Sequence, residues 1–126
     1  LRMVHTYAKG YRSENELLHT LSKMGYMVMR APHSGSISIA SPDIIAAKLG
    51  KLIVIECKSR KEAFKIQMEQ LHELREWQEK AGAHAYIGWK ISRKGWKFLR
   101  LKDVYDNNGN IGKKFAGEKG IGIEAI

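Results

Sequence analysis

The chain has 126 residues, about one domain's worth, and its 22 Lys and Arg against 13 Asp and Glu give a formal net charge of +9 at pH 7. Such an excess of cations points to a polyanionic partner, nucleic acid before a membrane surface. The single cysteine, Cys57, excludes an internal disulfide framework and a cysteine-based zinc centre, and no stretch approaches the roughly 18 consecutive apolar residues of a membrane span.

From Ser13 the sequence SENELLHTLSKMG sets Leu17, Leu18, Leu21 and Met24 at helical spacing, with Ser13 and Glu16 as a capping box and Gly25 as a stop. Residues 1–10 lack the apolar middle of a signal peptide, so the chain reads as cytoplasmic. YMVMRA (26–31) predicts a strand, and PHSGSISIASP a long loop. DIIAA and LIVIEC, joined by KLGK, predict a hairpin with Gly50 at its turn. Phe64, Met68, Leu71, Leu74 and Trp77 recur every three or four positions and predict an amphipathic helix over 63–81, ended by Gly82. HAYIGWKI and GWKFLRL form a second hairpin around SRKG. The Gly-, Asn- and Lys-rich stretch from about 103 to 126 is expected to be a loosely ordered tail with at most a short strand at IGIEAI. Together these elements predict a single α/β domain spanning 1–126, with one mixed sheet and helices packed on it.

The first hairpin carries the chemistry. If KLGK makes the turn, Lys48 pairs with Lys51 and the same register sets Asp43 opposite Glu56. Opposed side chains on one sheet face have Cβ atoms about 4.5–5.5 Å apart. Two carboxylates at that distance repel unless one is protonated or a cation lies between them, and a hard divalent ion such as Mg²⁺ meets this need. Lys58 shares the face of Glu56, two residues on, whereas Cys57 points to the other. Glu14 precedes Leu17, Leu18 and Leu21 by three, four and seven residues, so it lies on their inward face.

Pro42-Asp43 followed by Glu56-Cys57-Lys58 matches the PD-(D/E)xK nuclease signature. KGYRSENELLHTLSKMGY, VMRAPHSGS, SPDIIAAK, LIVIECKSRK and EQLHELREWQEKAGAHAYIGWK resemble, more widely, the archaeal and archaeal-virus Holliday-junction resolvases, from about Lys9 to Leu101. The resemblance implies a restriction-endonuclease-like core whose metal ligands are Glu14, Asp43 and Glu56, with Lys58 the catalytic lysine and Ser34 a catalytic serine on a loop. It places Arg30 near the DNA-binding surface and Gln70 on the second helix. Asn15 departs from the arginine usual after the helix glutamate, so that a phosphate contact is either missing or supplied by Arg12 instead. It further implies Mg²⁺ (with Mn²⁺ able to substitute) and no small-molecule cofactor. The enzyme would be a homodimer that nicks four-way DNA junctions in pairs in recombination and repair of intracellular, nucleoid-associated DNA, with Trp77 at the dimer interface.

From their charge, Arg12, Lys23, Arg30, Arg60, Lys61 and Lys65 are candidate phosphate contacts. Two other readings stand beside this one. A restriction-like or repair nuclease acting on linear duplex would share the same site, and a non-catalytic basic DNA-binding module would have no use for the inward-facing acids.

Overall fold

The structure is a computed structural model that describes residues 2–31 and 41–126, with side chains from residue 10 onward. Its elements run α1 (Arg2–Lys23), β1 (Met27–Arg30), β2 (Ile44–Lys48), β3 (Lys51–Arg60), β4 (Phe64–Lys65), α2 (Met68–Ala81), β5 (His84–Ile91), β6 (Gly95–Arg100), α3 (Leu101–Asp106), β7 (Asn110–Ile111) and α4 (Lys113–Lys119). A 3-10 turn, Ile123–Ala125, follows.

Five strands form one mixed sheet in the order β1-β2-β3-β5-β6. Both expected hairpins are present, β2–β3 and β5–β6. The two-residue turn Leu49-Gly50 has positive φ at both positions, 46° and 82°, the backbone of the turn whose twist matches a hairpin's strands. Between the hairpins α2 makes the crossover that a parallel pair requires, so β3 and β5 run side by side. Central strand β3 is covered on both faces, which explains its nearly unbroken apolar run; Ile53, Val54 and Ile55 are fully buried.

Alternation along the strands divides the core in two. Leu17 and Leu21 of α1 pack with Ile44, Ile53, Ile55, Tyr86 and Phe98 on one face. On the other, Leu71 and Leu74 of α2 join Val54, Ile87, Trp89 and Leu99, with Val104, Ile111 and Ala116 from the C-terminal elements. Gly82 closes α2 at φ 67°: its N–H donates to the Gln78 carbonyl (3.1 Å) and that of Ala83 to the Trp77 carbonyl (3.2 Å).

Three boundaries differ from expectation. Helix α1 begins at Arg2, so Ser13 is no cap but a buried residue in mid-helix. Residues 2–12 contain no proline and only Gly10, whose cost of roughly 1 kcal/mol does not interrupt a helix. Helix α2 begins at Met68, not near Ala63, because residues 64–65 pair instead with 110–111. Phe64 there meets the Trp89 ring edge-on at 5.2 Å. The third difference is the C-terminal stretch, which was expected to be loosely ordered. It carries α3, β7 and α4, buries Val104, Ile111, Ala116 and Ile126, and places Ile121 against the edge of β6 through bonds of 2.9 Å in both directions with Phe98. Sparse apolar residues at positions that all turn inward suffice here, where a helical or strand period is too short to read.

Gly109 fixes that C-terminal packing. It sits at φ 83°, its carbonyl accepts the Ile66 N–H at 2.8 Å, and a Cβ there would fall 2.4 Å from the Ile66 carbonyl oxygen. Gly109→Ala therefore combines left-handed strain with a backbone clash and should lower unfolding free energy by about 2–3 kcal/mol. Gly117→Ala, in α4 with open space at its Cβ, should stabilise by up to about 1 kcal/mol. Urea denaturation of both variants checks the pair.

Candidate active site

β2 and β3 pair with Ile44 opposite Ile55 and Lys48 opposite Lys51, so the register carries Asp43, just ahead of β2, against Glu56. Both carboxyls are buried, at 6% and 7% exposure. The position of Asp43 is fixed at both ends: its backbone carbonyl accepts the Ala31 N–H at 2.9 Å, and its Oδ2 accepts the Cys57 N–H at 2.7 Å. Glu56 Oε2 accepts a hydrogen bond from Gln70 Nε2 of α2 at 2.9 Å and lies 3.5 Å from Lys58 Nζ.

Burial pushes the Glu56 carboxyl up to about 8 from an ordinary 4.5, and the Asp43 charge and a hydrogen bond with the Asp43 carboxyl push the same way. Lys58 opposes the shift without cancelling it. In the metal-free chain a proton thus does the work of a cation between the two acids. The donor set suits a hard divalent ion, for which one or two carboxylates are the usual protein contribution. Cys57, partly buried between these charges, has its thiol pushed well above the ordinary value by burial first and then by Asp43, Glu14 and Glu56, so it stays neutral and a poor nucleophile.

Glu14 comes toward Cys57 from α1 and is paired with Arg30. Its Oε1 is 3.5 Å from Nε of Arg30, whose Nη2 donates to the Tyr11 carbonyl at 3.2 Å and whose guanidinium stands 4.0 Å over the Tyr11 ring. Arg30 faces α1 because it pairs with Ile44, whereas Glu56 faces α2. Glu14 is near enough to act on the Cys57 thiol, yet among the described residues no group of three or more Asp, Glu, His and Cys side chains is arranged to hold a metal. The register brings Asp43 and Glu56 together, and Glu14 is paired with an arginine of β1. Ser34 lies outside the described residues.

The sheet gathers cations at the same end. β1 and β3 each run antiparallel to β2, and β3 is parallel to β5, so Arg30, Arg60 and the β5–β6 turn all lie at the end that carries Asp43 and Glu56. Arg12, Arg60, Lys61 and Lys65 are exposed. Lys23 is at the far end: it closes α1 beside Met24, whose carbonyl accepts from Lys48 at the Leu49-Gly50 turn. Sequence reasoning passed over the tip of β5–β6, where Arg93 and Lys94 are exposed, with Lys90 opposite Ser59 in the register. SRKG reads first as a turn, and the signal available in it is a basic tip beyond a parallel neighbour of β3. It also gave Gln70 no role, and only the packing of α2 on β3 reveals its contact with Glu56.

A mixed sheet between helices, with a buried Asp at the head of one hairpin arm and Glu-x-Lys on the other, defines a nuclease-type fold of the PD-(D/E)xK class. Comparison with known proteins narrows this. The family model described as archaeal Holliday junction resolvase (Hjc) matches residues 5–126, and the chain belongs to that family. A protein of Sulfolobus acidocaldarius named crossover junction endodeoxyribonuclease Hjc is 42% identical over 99 residues, covering 76% of this chain and 68% of the relative. Its namesake from Sulfurisphaera tokodaii is 35% identical over 124 residues, covering 94% and 85%. The solved structure of Archaeoglobus fulgidus Hjc, a Holliday junction resolvase from an archaeal hyperthermophile, superposes with a TM-score of 0.82 at 28% identity, covering 92% of this chain and 98% of that one.

The raised Glu56 sets a pH dependence. Its proton is held to about pH 8 in the fold and to about 4.5 in the unfolded chain, so its contribution to stability is complete below about 4.5 and lost as pH rises to about 8. Glu56→Gln, neutral throughout, should remove this slope and raise metal-free stability at pH 8 by on the order of 3 kcal/mol. Denaturation in chelator at pH 5, 6.5 and 8 measures it; an unchanged slope in the variant would show that Glu56 does not hold the proton.

Proposed function

We propose that this chain is a crossover-junction endonuclease, one nuclease domain that hydrolyses a phosphodiester in each of two strands of a four-way DNA junction. The single observation that carries the reading is the buried Asp43–Glu56 pair with Lys58 beside it, in a chain of the resolvase family. A divalent cation held by Asp43 and Glu56, Mg²⁺ with Mn²⁺ as substitute, would supply Lewis acidity toward water and phosphate.

The protein's own groups do the rest. Asp43, held by the Cys57 N–H, and Glu56, held by Gln70, would be the ligands, and Glu56 would give up its proton to such a cation. Lys58 orients the attacking water and stabilises the charge that builds on the phosphorus. Glu14 joins the site, or supports it, from the α1 side through Arg30. Ser34, outside the described residues, is a further contributor. Arg12, Arg30, Arg60, Lys61 and Lys65, with Arg93 and Lys94, hold the phosphates of the arms. The proposed homodimer finds support in Met27 and Met29, exposed at 79% and 61% on edge strand β1, and in the half-buried Trp77 of α2. No described helix is long and apolar enough to cross a membrane, and the DNA substrate implies work inside the cell.

Asp43→Ala should still retard a four-way junction in a gel while cleavage falls by at least about 10³-fold, since the loss bears on the reaction and not on the basic surface. Arg93→Ala with Lys94→Ala should instead weaken junction binding and flatten its dependence on salt by about two phosphate contacts. End-labelled junction and linear duplex of the same arms, incubated with Mg²⁺, test the substrate: paired nicks in the junction alone are expected, and equal cutting of both would favour a general duplex nuclease.

A further inference from the structure

Glu56 is approached by two donors, and both come to the same oxygen. Gln70 Nε2 donates to Oε2 at 2.9 Å, and Lys58 Nζ lies 3.5 Å from that atom. A carboxylate 7% exposed has few ways to turn, and a bond from a rigid helix removes most of those that remain. Oε1 is then the oxygen left for a cation. Gln70 is itself half-buried, between Leu71 and Leu74 on the packed side of α2 and the crevice formed by Ser41, Pro42, Glu56 and Trp77. Its amide reaches the carboxyl across the interface between helix and sheet.

We infer that Gln70 is a positioning residue for the metal site: by holding Oε2 of Glu56 it presents Oε1 toward Asp43 and commits Glu56 to binding a cation through one oxygen. The inference rests on the reading of Asp43 and Glu56 as metal ligands. A glutamine suits this task better than a second lysine. It donates without adding charge, so it orders the carboxylate without competing with the cation for its negative charge. Lys58, which carries charge, is thereby relieved of the orienting role and is free to turn toward the substrate.

Gln70→Met keeps the length and apolar stem of the side chain and deletes the donor. Titration calorimetry of Mn²⁺ into the DNA-free protein should show affinity about 10- to 100-fold below wild type, the usual effect of removing an orienting group behind a metal ligand. Junction affinity in chelator should stay within about twofold, and cleavage should recover in part at high Mn²⁺. Gln70→Leu, which also deletes the donor without adding charge, serves equally if Gln70→Met does not fold, and should lose metal binding through the same lost contact. Wild type that binds Mn²⁺ beside a variant that binds it equally well would overturn the role of Gln70 while leaving the metal site standing. Wild type that binds no Mn²⁺ would overturn both.

Discussion

Two acids that the sheet forces together dominate the physics of this domain. Asp43 and Glu56 are both more than nine-tenths buried, and the β2–β3 register allows neither to move away without breaking a ladder that also places Ile44, Ile53 and Ile55 in the core. Burying one carboxylate is costly, and burying two against each other costs more. Without a cation the chain meets this by keeping a proton on Glu56 up to about pH 8, by directing the Cys57 N–H at Asp43, and by bringing Gln70 and Lys58 to Glu56. These partners account for the polar residues in an otherwise apolar hairpin.

The rest of the fold supplies rigidity to that arrangement. β3 is the longest strand, with β2 and β5 bonded to its two edges, and it is packed on both faces by separate clusters. A central strand so enclosed cannot slip, and a slip by one residue would turn Glu56 and Lys58 to the α1 face. The C-terminal elements belong to this frame. Ile111, Val104 and Ala116 close the cluster beneath α2, the helix from which Gln70 reaches Glu56. Disturbance at Gly109 therefore bears on the site through packing.

Legibility followed the range of the interactions. The hairpin register could be read because a short turn between two apolar arms fixes every pair at once, and Asp43 opposite Glu56 followed from counting. The position of Lys58 followed from strand alternation. Beyond such local rules the sequence was a weaker guide. Phe64 fits the helical period of 63–81 as well as it fits β4, and its pairing with Ile111, 47 residues away, settled the matter. Glu14 was correctly placed on the inward side of α1, but which face of the sheet α1 covers, and that Arg30 would meet Glu14 there, depends on the packing of separate elements. Gln70 could be placed on the second helix, but its contact with Glu56 depends on the same packing.

The three acids differ in how readily their partners can leave, and this orders their roles. Asp43 is held by a backbone N–H of the central strand, which cannot depart. Glu56 is held in part by a proton, which leaves without any heavy atom moving and whose release a cation would favour directly. Glu14 is held by Arg30, a side chain at the basic end of the sheet that also contacts Tyr11. A phosphate arriving there would compete with Glu14 for the guanidinium, since both are anions seeking the same donors. The three carboxylates are therefore graded in mobility: Asp43 is fixed by the backbone, Glu56 has only a proton to give up, and the freedom of Glu14 depends on what Arg30 binds.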